Sequence, residues 1–260
     1  MGKRGFFAFF IWLAIGIFMT IGGCQMLKAS SNTLTVSAAI SLTDALENIK
    51  SLYRQNHQNI TITYNFGASG SLQQQIKQGA PVDIFISAAS KQMDALQQNN
   101  LLSSDTRTNL LLNSLVLITS NNNYTISNFQ ALINPKVKRI AIGEPQSVPA
   151  GQYAQELLAN LKIFDQLKPK FVYGSNVRQV LTYVETGNVD AGIVYTTDAK
   201  QSNQVRIGAT APSSLHSPIV YPVAVLKRSK NVATARDFVQ FLSSAQSNTV
   251  FEKYGFKIVE

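Results

Sequence analysis

One pattern occurs twice in this chain, and it constrains the fold more than any other feature. Residues 60–66, from Ile60 to Phe66, alternate as a strand does, and Gly67-Ala68-Ser69-Gly70-Ser71 follows as a turn. An amphipathic helix is predicted over 72–78, then a stop at Gly79, then Val82-Asp83 leading into the apolar run Ile84-Phe85-Ile86. About a hundred residues later the order returns: a strand over 170–173, the turn Gly174-Ser175-Asn176, a helix over Val177–Glu185, Gly187, and Val189-Asp190 before Ala191-Gly192-Ile193-Val194-Tyr195. Each copy reads as strand, helix, strand, the unit that builds parallel sheets covered by helices. Two copies so far apart predict two similar lobes, each a mixed, mostly parallel sheet flanked by helices.

Two apolar extended stretches, 110–119 and 219–226, lie where a chain would cross between such lobes. They place lobe 1 at 33–112 plus 222–260 and lobe 2 at 113–221. A helix over 234–242 and on to Tyr254 would return the chain to lobe 1. The first strand is expected at 34–38, followed by a helix start at Ser41 with Asp44 three residues on, a capping-box spacing.

The N-terminal segment differs from everything after it. Lys3 and Arg4 precede a nearly unbroken apolar run from Phe6 to Ile21, and then come Gly22, Gly23 and Cys24. A basic start, an apolar stretch and small residues before a cut site read as a secretory signal over 1–23, with an uncleaved membrane anchor as the other reading. Cys24 is the only cysteine, so the fold uses no internal disulfide. Its place after Ile21-Gly22-Gly23 resembles the lipobox of bacterial lipoproteins, which implies a lipid anchor on Cys24 and a tether over 24–32; the alternative is an incidental cysteine. Either way the rest of the chain is expected to lie outside the cytoplasmic membrane, in the periplasm or its extracytoplasmic equivalent.

The formal charge is +9, and losing Lys3 and Arg4 with the signal leaves +7. Nucleic acid, an anionic membrane surface and an anionic ligand each suit such an excess. The basic residues are scattered, with no run longer than Lys136-Val137-Lys138-Arg139, and export argues further against nucleic acid.

Open α/β sheets bind ligands beyond the carboxyl ends of their strands, where helix starts carry N–H groups without intrahelical partners. The positive end of the helix dipole makes these turns favourable for anions. This sequence puts small hydroxyl- or glycine-bearing turns there repeatedly: at Ser41, Gly67 to Ser71, Val148 to Gly151, and Gly174 to Val177. Taken singly, Ser41 is an ordinary helix cap and Tyr195 a core tyrosine. Enzyme signatures are missing. The only histidines are His57 and His216, and the chain has no G-x-S-x-G elbow, no H-E-x-x-H and no G-x-x-x-x-G-K-[ST]. The expectation is a binding protein and not an enzyme.

Several strings together resemble the molybdate-binding proteins, the type II solute-binding components of molybdate ABC importers. They include Ser37-Ala38-Ala39-Ile40-Ser41-Leu42-Thr43, Gly67-Ala68-Ser69-Gly70-Ser71-Leu72, Gly79-Ala80-Pro81-Val82-Asp83-Ile84-Phe85-Ile86-Ser87 and Gly143-Glu144-Pro145. Val148-Pro149-Ala150-Gly151-Gln152-Tyr153-Ala154, Asn176-Val177-Arg178, Gly192-Ile193-Val194-Tyr195 and Lys253-Tyr254-Gly255-Phe256 complete the set, in family order from about residue 33 to 256. The resemblance implies a two-lobed fold of the type II periplasmic binding proteins with its ligand in the cleft. It implies that the hydroxyl and N–H of Ser41 and Ser69, the N–H groups of Ala150 and Val177, and the phenol of Tyr195 hold molybdate or tungstate. It further implies no cofactor, membrane permease subunits as partners, and a monomer. The rival expectations are a carrier of another small anion, such as sulfate or phosphate, or of a metal on the same architecture, and a sensory or adhesive lipoprotein that uses the fold as a scaffold.

Overall fold

A computed structural model describes residues 32–121 and 126–259. The signal segment, Cys24 and the tether up to residue 31 lie outside the described residues. In chain order the main elements are β1 (Asn32–Ala39), α1 (Thr43–Asn56), β2 (Ile60–Gly67), α2 (Ser69–Lys77), β3 (Ile84–Ile86), α3 (Ser90–Gln98), β4 (Thr108–Leu112) and β5 (Leu115–Ser120). They continue with β6 (Ile140–Gly143), α4 (Pro149–Asn160), α5 (Phe164–Leu167), β7 (Phe171–Gly174), α6 (Val177–Glu185), β8 (Ala191–Tyr195) and α7 (Thr196–Lys200). The last are β9 (Val205–Thr210), β10 (Val220–Val225), α8 (Val232–Leu242), α9 (Ala245–Lys253) and β11 (Lys257–Ile258). Among the described residues no helix is long and apolar enough to cross a membrane.

The strands form two sheets, ordered β11-β4-β10-β3-β1-β2 and β7-β6-β8-β5-β9. The repeated sequence unit explains their likeness. In the first copy, β2 and β3 flank β1 and run parallel to it; in the second, β7 and β8 flank β6 in the same way. An antiparallel strand then joins each triplet, β10 beside β3 and β5 beside β8. These strands, with β4, β9 and β11, make both sheets more antiparallel than the sequence suggests, because the chain crosses and recrosses between the sheets there. The first crossing is short, at Asn113-Ser114, and the second spans 211–219. The Asn113 N–H donates to the Ile219 carbonyl at 3.1 Å, so the two crossings are bonded to each other. The sheet to which β10 belongs takes it from Val220, two residues before the expected boundary at 222.

Local sequence accounts for most element limits. In α6, Val177, Val180, Leu181 and Val184 recur at helical spacing and are buried. Asn176 caps it by accepting from the Gln179 N–H at 2.9 Å, and Gly187 follows at φ +69. The strands β3 and β8 are buried at every position, as central parallel strands covered on both faces must be. Three expectations shift. Helix α2 starts at Ser69 instead of 72, since Ala68 already has the extended backbone of a cap. The C-terminal helix is two helices, broken where the Ser244 side chain accepts from the Ser247 N–H to start α9. Ser41 does not cap α1: it lies inside a 3₁₀ turn, Ile40–Leu42, and its hydroxyl bonds Tyr221 instead.

The repeated Val-Asp has the same structural role in both copies. Asp83 accepts from the Thr35 N–H of β1 at 2.8 Å, and Asp190 accepts from the Lys138 and Arg139 N–H groups that lead into β6, at 2.6 and 2.9 Å. Each aspartate thus pins the entering end of its triplet's middle strand, opposite the edge where helices begin. Asp83 is buried and also accepts from the Ser229 hydroxyl at 2.6 Å. Asp83→Ala should therefore lower stability by about 1–3 kcal/mol through unpaired buried donors, measured as a lower urea midpoint with unchanged secondary structure.

Candidate oxyanion-binding site

The carboxyl ends of the two parallel triplets face one another across a small cavity. Ser41, Ser69 and Ala88 reach it from beyond β1, β2 and β3, and Ala150, Val177 and Tyr195 from β6, β7 and β8. All five residues singled out in the sequence line this one space. The space within it open to a water-sized sphere is only about 10 Å³, far below the roughly 300–1,000 Å³ usual for organic-ligand pockets, which leaves room for a small ion and not for an organic ligand. A wider cleft of about 750 Å³, with the start of α3 at its wall, is lined by the charged side chains of Lys91, Asp94 and Glu156 among others.

Each helix start presents donors for a definite reason. Ser69 is the first residue of α2, after a cap with no side-chain hydrogen bond, so its N–H has no intrahelical partner. In α4, Pro149 has no N–H, and the Gly151 N–H donates to the Val148 carbonyl at 2.9 Å. The Ala150 N–H is left as the unpaired donor of that turn among the described residues. Val177 opens α6, and Asn176 takes only the Gln179 N–H, leaving that of Val177 free. Gly151 itself is required here, because a Cβ would meet the Gly143 carbonyl oxygen at 2.0 Å.

The side chains agree with the backbone. Ser41, Ser69 and Tyr195 are all buried. The Ser69 Oγ accepts from the Ala88 N–H at 2.9 Å, and the Ser41 Oγ lies 3.0 Å from the Tyr221 hydroxyl. The Tyr195 hydroxyl has no hydrogen-bond partner among the described residues. Burial pushes its pKa well above the ordinary value, so it remains a protonated donor. Among the described residues no charged one lines the cavity.

Charge lies just behind it. Arg178, the second residue of α6, reaches Asp44 in the first turn of α1 at 2.6 Å and Asp198 at 2.7 Å. Asp198 is fully buried, and burial pushes its carboxyl up to about 6 against the opposing pull of the guanidinium. The Arg178–Asp44 pair spans the two halves and is partly exposed, so it contributes at most about 1 kcal/mol to holding them together. A second bridge is closer: the Gly70 N–H donates to the Ser147 carbonyl at 2.9 Å. A Cβ at Gly70 would sit 2.5 Å from that oxygen, so only glycine permits this approach.

Sequence reasoning missed Tyr221, Asn113, Asp198 and the bridging role of Gly70. Arg178 and Asp44 were visible only as a motif residue and a helix-cap partner. Nothing local marks them, because their partners are distant in the chain.

Two α/β halves closed over a buried, donor-lined cavity define a two-lobed solute-binding protein of the type II periplasmic class. The chain belongs to the family of bacterial extracellular solute-binding proteins, which matches residues 34–257. It is 45% identical over 249 residues to "Putative ABC transporter substrate-binding lipoprotein YvgL" of Bacillus subtilis (strain 168), covering 94% of this chain and 95% of that protein. Identity to the molybdate-binding protein ModA of Haemophilus influenzae is 38% over 242 residues, covering 92% and 95% of the two chains. Among solved structures, the "substrate binding domain of putative molybdenum ABC transporter from Clostridium difficile" is 47% identical with a TM-score of 0.69, covering 88% of this chain and all of that one.

Gly70→Ala should keep the two halves apart without unfolding either. With the oxyanion for which the relatives are named in excess, small-angle scattering should give a larger radius of gyration than for the unsubstituted protein. Equal radii would count against the Gly70–Ser147 contact as a condition of closure.

Proposed function

We propose that the protein captures molybdate, and tungstate with it, outside the cytoplasmic membrane and delivers it to the permease subunits of an ABC importer. The observation that carries this reading is the convergence of Ser41, Ser69, Ala150, Val177 and Tyr195 on one buried cavity lined only by uncharged groups. The relatives named for molybdate, at 38% identity over nearly the whole chain, point the same way.

Such a cradle suits a dianion. Hydrogen bonds to a charged acceptor contribute roughly 1.5–3 kcal/mol each, so several of them offset the cost of taking the ion out of water. Donors from both halves make the closed arrangement the one that binds, and the ligand shifts the chain toward it. The lobes of this reading are 33–112 plus 222–260 and 113–221, hinged at the two crossings. The leader over 1–23 exports the chain, and a lipid on Cys24 holds it to the membrane through the tether over 24–32. It acts as a monomer.

Isothermal titration of the full-length protein against molybdate, tungstate, sulfate and phosphate tests the assignment. Molybdate and tungstate should bind at low micromolar concentration or tighter, and sulfate weakly; tighter sulfate, or no anion at all, would overturn it. Ser41→Ala and Ser69→Ala should each cost about 1–3 kcal/mol of binding free energy, and Tyr195→Phe a similar amount with the fold retained. Radiolabelled fatty acid should be incorporated by the native chain and not by Cys24→Ala; equal labelling of the two would remove the anchor.

A further inference from the structure

A serine hydroxyl is ambivalent. It donates one hydrogen and offers two lone pairs, so a cavity lined by serines does not by itself discriminate against an anion that carries a proton. Such an anion would only need Ser41 or Ser69 to turn and accept. Whether the cavity is donor-only is therefore decided by what stands behind the hydroxyls.

Behind Ser41 the hydrogen polarity is fixed over three residues. The Asn113 Oδ1 accepts from the Ser114 N–H at 2.9 Å, which orients the amide. Its Nδ2 then donates both hydrogens, one to the Thr197 hydroxyl at 2.9 Å and one to the Tyr221 hydroxyl at 3.2 Å. Tyr221 is fully buried on β10, and burial holds its pKa far above the ordinary phenol value, so it keeps its proton. Among the described residues the Tyr221 hydroxyl bonds only Asn113, which donates to it, and Ser41, so the Ser41 Oγ at 3.0 Å is the acceptor open to its own hydrogen. The Ser41 hydrogen then has no acceptor among the described residues and is left for the cavity. Ser69 reaches the same state by a shorter route, since its Oγ accepts from the Ala88 N–H. Turning either hydrogen away would bury an unpaired donor.

We propose that Asn113 and Tyr221, with the Ala88 N–H behind Ser69, set the hydrogen polarity of the cavity, so that it presents donors only and rejects a protonated oxyanion. The inference rests on the oxyanion reading above and adds Asn113 and Tyr221 as positioning residues that do not line the cavity themselves. The line runs from Asn113 to Tyr221 to Ser41 to the anion, each group donating to the next. Hydrogen phosphate, which carries a proton, meets no acceptor at either serine.

Two near-isosteric substitutions test it. Tyr221→Phe removes the donor behind Ser41 and frees that hydroxyl to turn. Asn113→Asp reverses the line: one carboxylate oxygen still accepts from Ser114, while the other accepts from Tyr221, whose oxygen then accepts from Ser41. Ser41 would then offer lone pairs to the cavity. Titrations at about pH 8 compare molybdate with inorganic phosphate, both dianions there, so the charge added by Asn113→Asp repels the two alike and cancels in their ratio. Tyr221→Phe should weaken molybdate roughly 10-fold, and both variants should move the phosphate-to-molybdate affinity ratio toward phosphate, by roughly 10-fold in Asn113→Asp. A merely structural role would weaken both anions together and leave that ratio alone. An unchanged ratio in both variants, each shown folded by circular dichroism, overturns the proposal. Failure of the unsubstituted protein to bind molybdate would instead strike the function on which it rests.

Discussion

The site proposed here has to hide a doubly charged ion among groups that carry no charge. A lysine or arginine in the cavity would make this simple, but among the described residues no charged one lines it. What would replace a formal charge is the summed polarity of unpaired N–H groups at helix starts and of hydroxyl donors. Such groups are effective only when held in place, because an N–H or O–H that must be turned at the moment of binding loses much of its advantage. The packing behind the cavity is therefore as much a part of the site as the residues that line it. Pro149 removes a competing donor, Asn176 satisfies another, and Ala88 occupies the oxygen of Ser69.

That requirement explains why the chain is built twice over. One parallel triplet directs three carboxyl ends to one side and surrounds an ion on that side only. A second triplet in the same order, β7-β6-β8 against β2-β1-β3, supplies the opposite side. The two crossings, at 113–114 and 211–219, are the covalent links between the sheets, and they are bonded to each other. Asn113 stands in the shorter one, so the residue that orients Tyr221 is also at the turn about which the halves would move. Among the described residues the contacts across the cleft are individually weak, and they include one backbone hydrogen bond at Gly70, one partly exposed ion pair at Arg178 and a long amide bond from Gln92 to Gln152. Weak contacts of this kind leave the ligand to decide the balance between open and closed.

Much of the fold was legible in the sequence. The limits of α6 follow from four apolar residues at helical spacing, a capping asparagine and a following glycine, all within a dozen positions. The two copies of the repeat became matching triplets, with their aspartates in matching roles. The errors share a cause. Ser41 carried every local sign of a helix cap, but the hydroxyl of Tyr221, 180 residues further along, competes for it. The break at Ser243-Ser244 and the early start of α2 depend on backbone geometry that amphipathic spacing does not record.

By itself, then, the sequence determined the kind of unit the chain folds into and which small residues stand in the turns between its strands and helices. These are properties of a few neighbouring residues: hydrophobic period, glycine stops and unpaired N–H groups. Only the tertiary structure decided that Gly70 meets Ser147, that Arg178 joins Asp44 to Asp198, and that Asn113 and Tyr221 stand behind Ser41. The direction of a hydrogen bond is a property of both partners, and here the partners come from opposite ends of the chain.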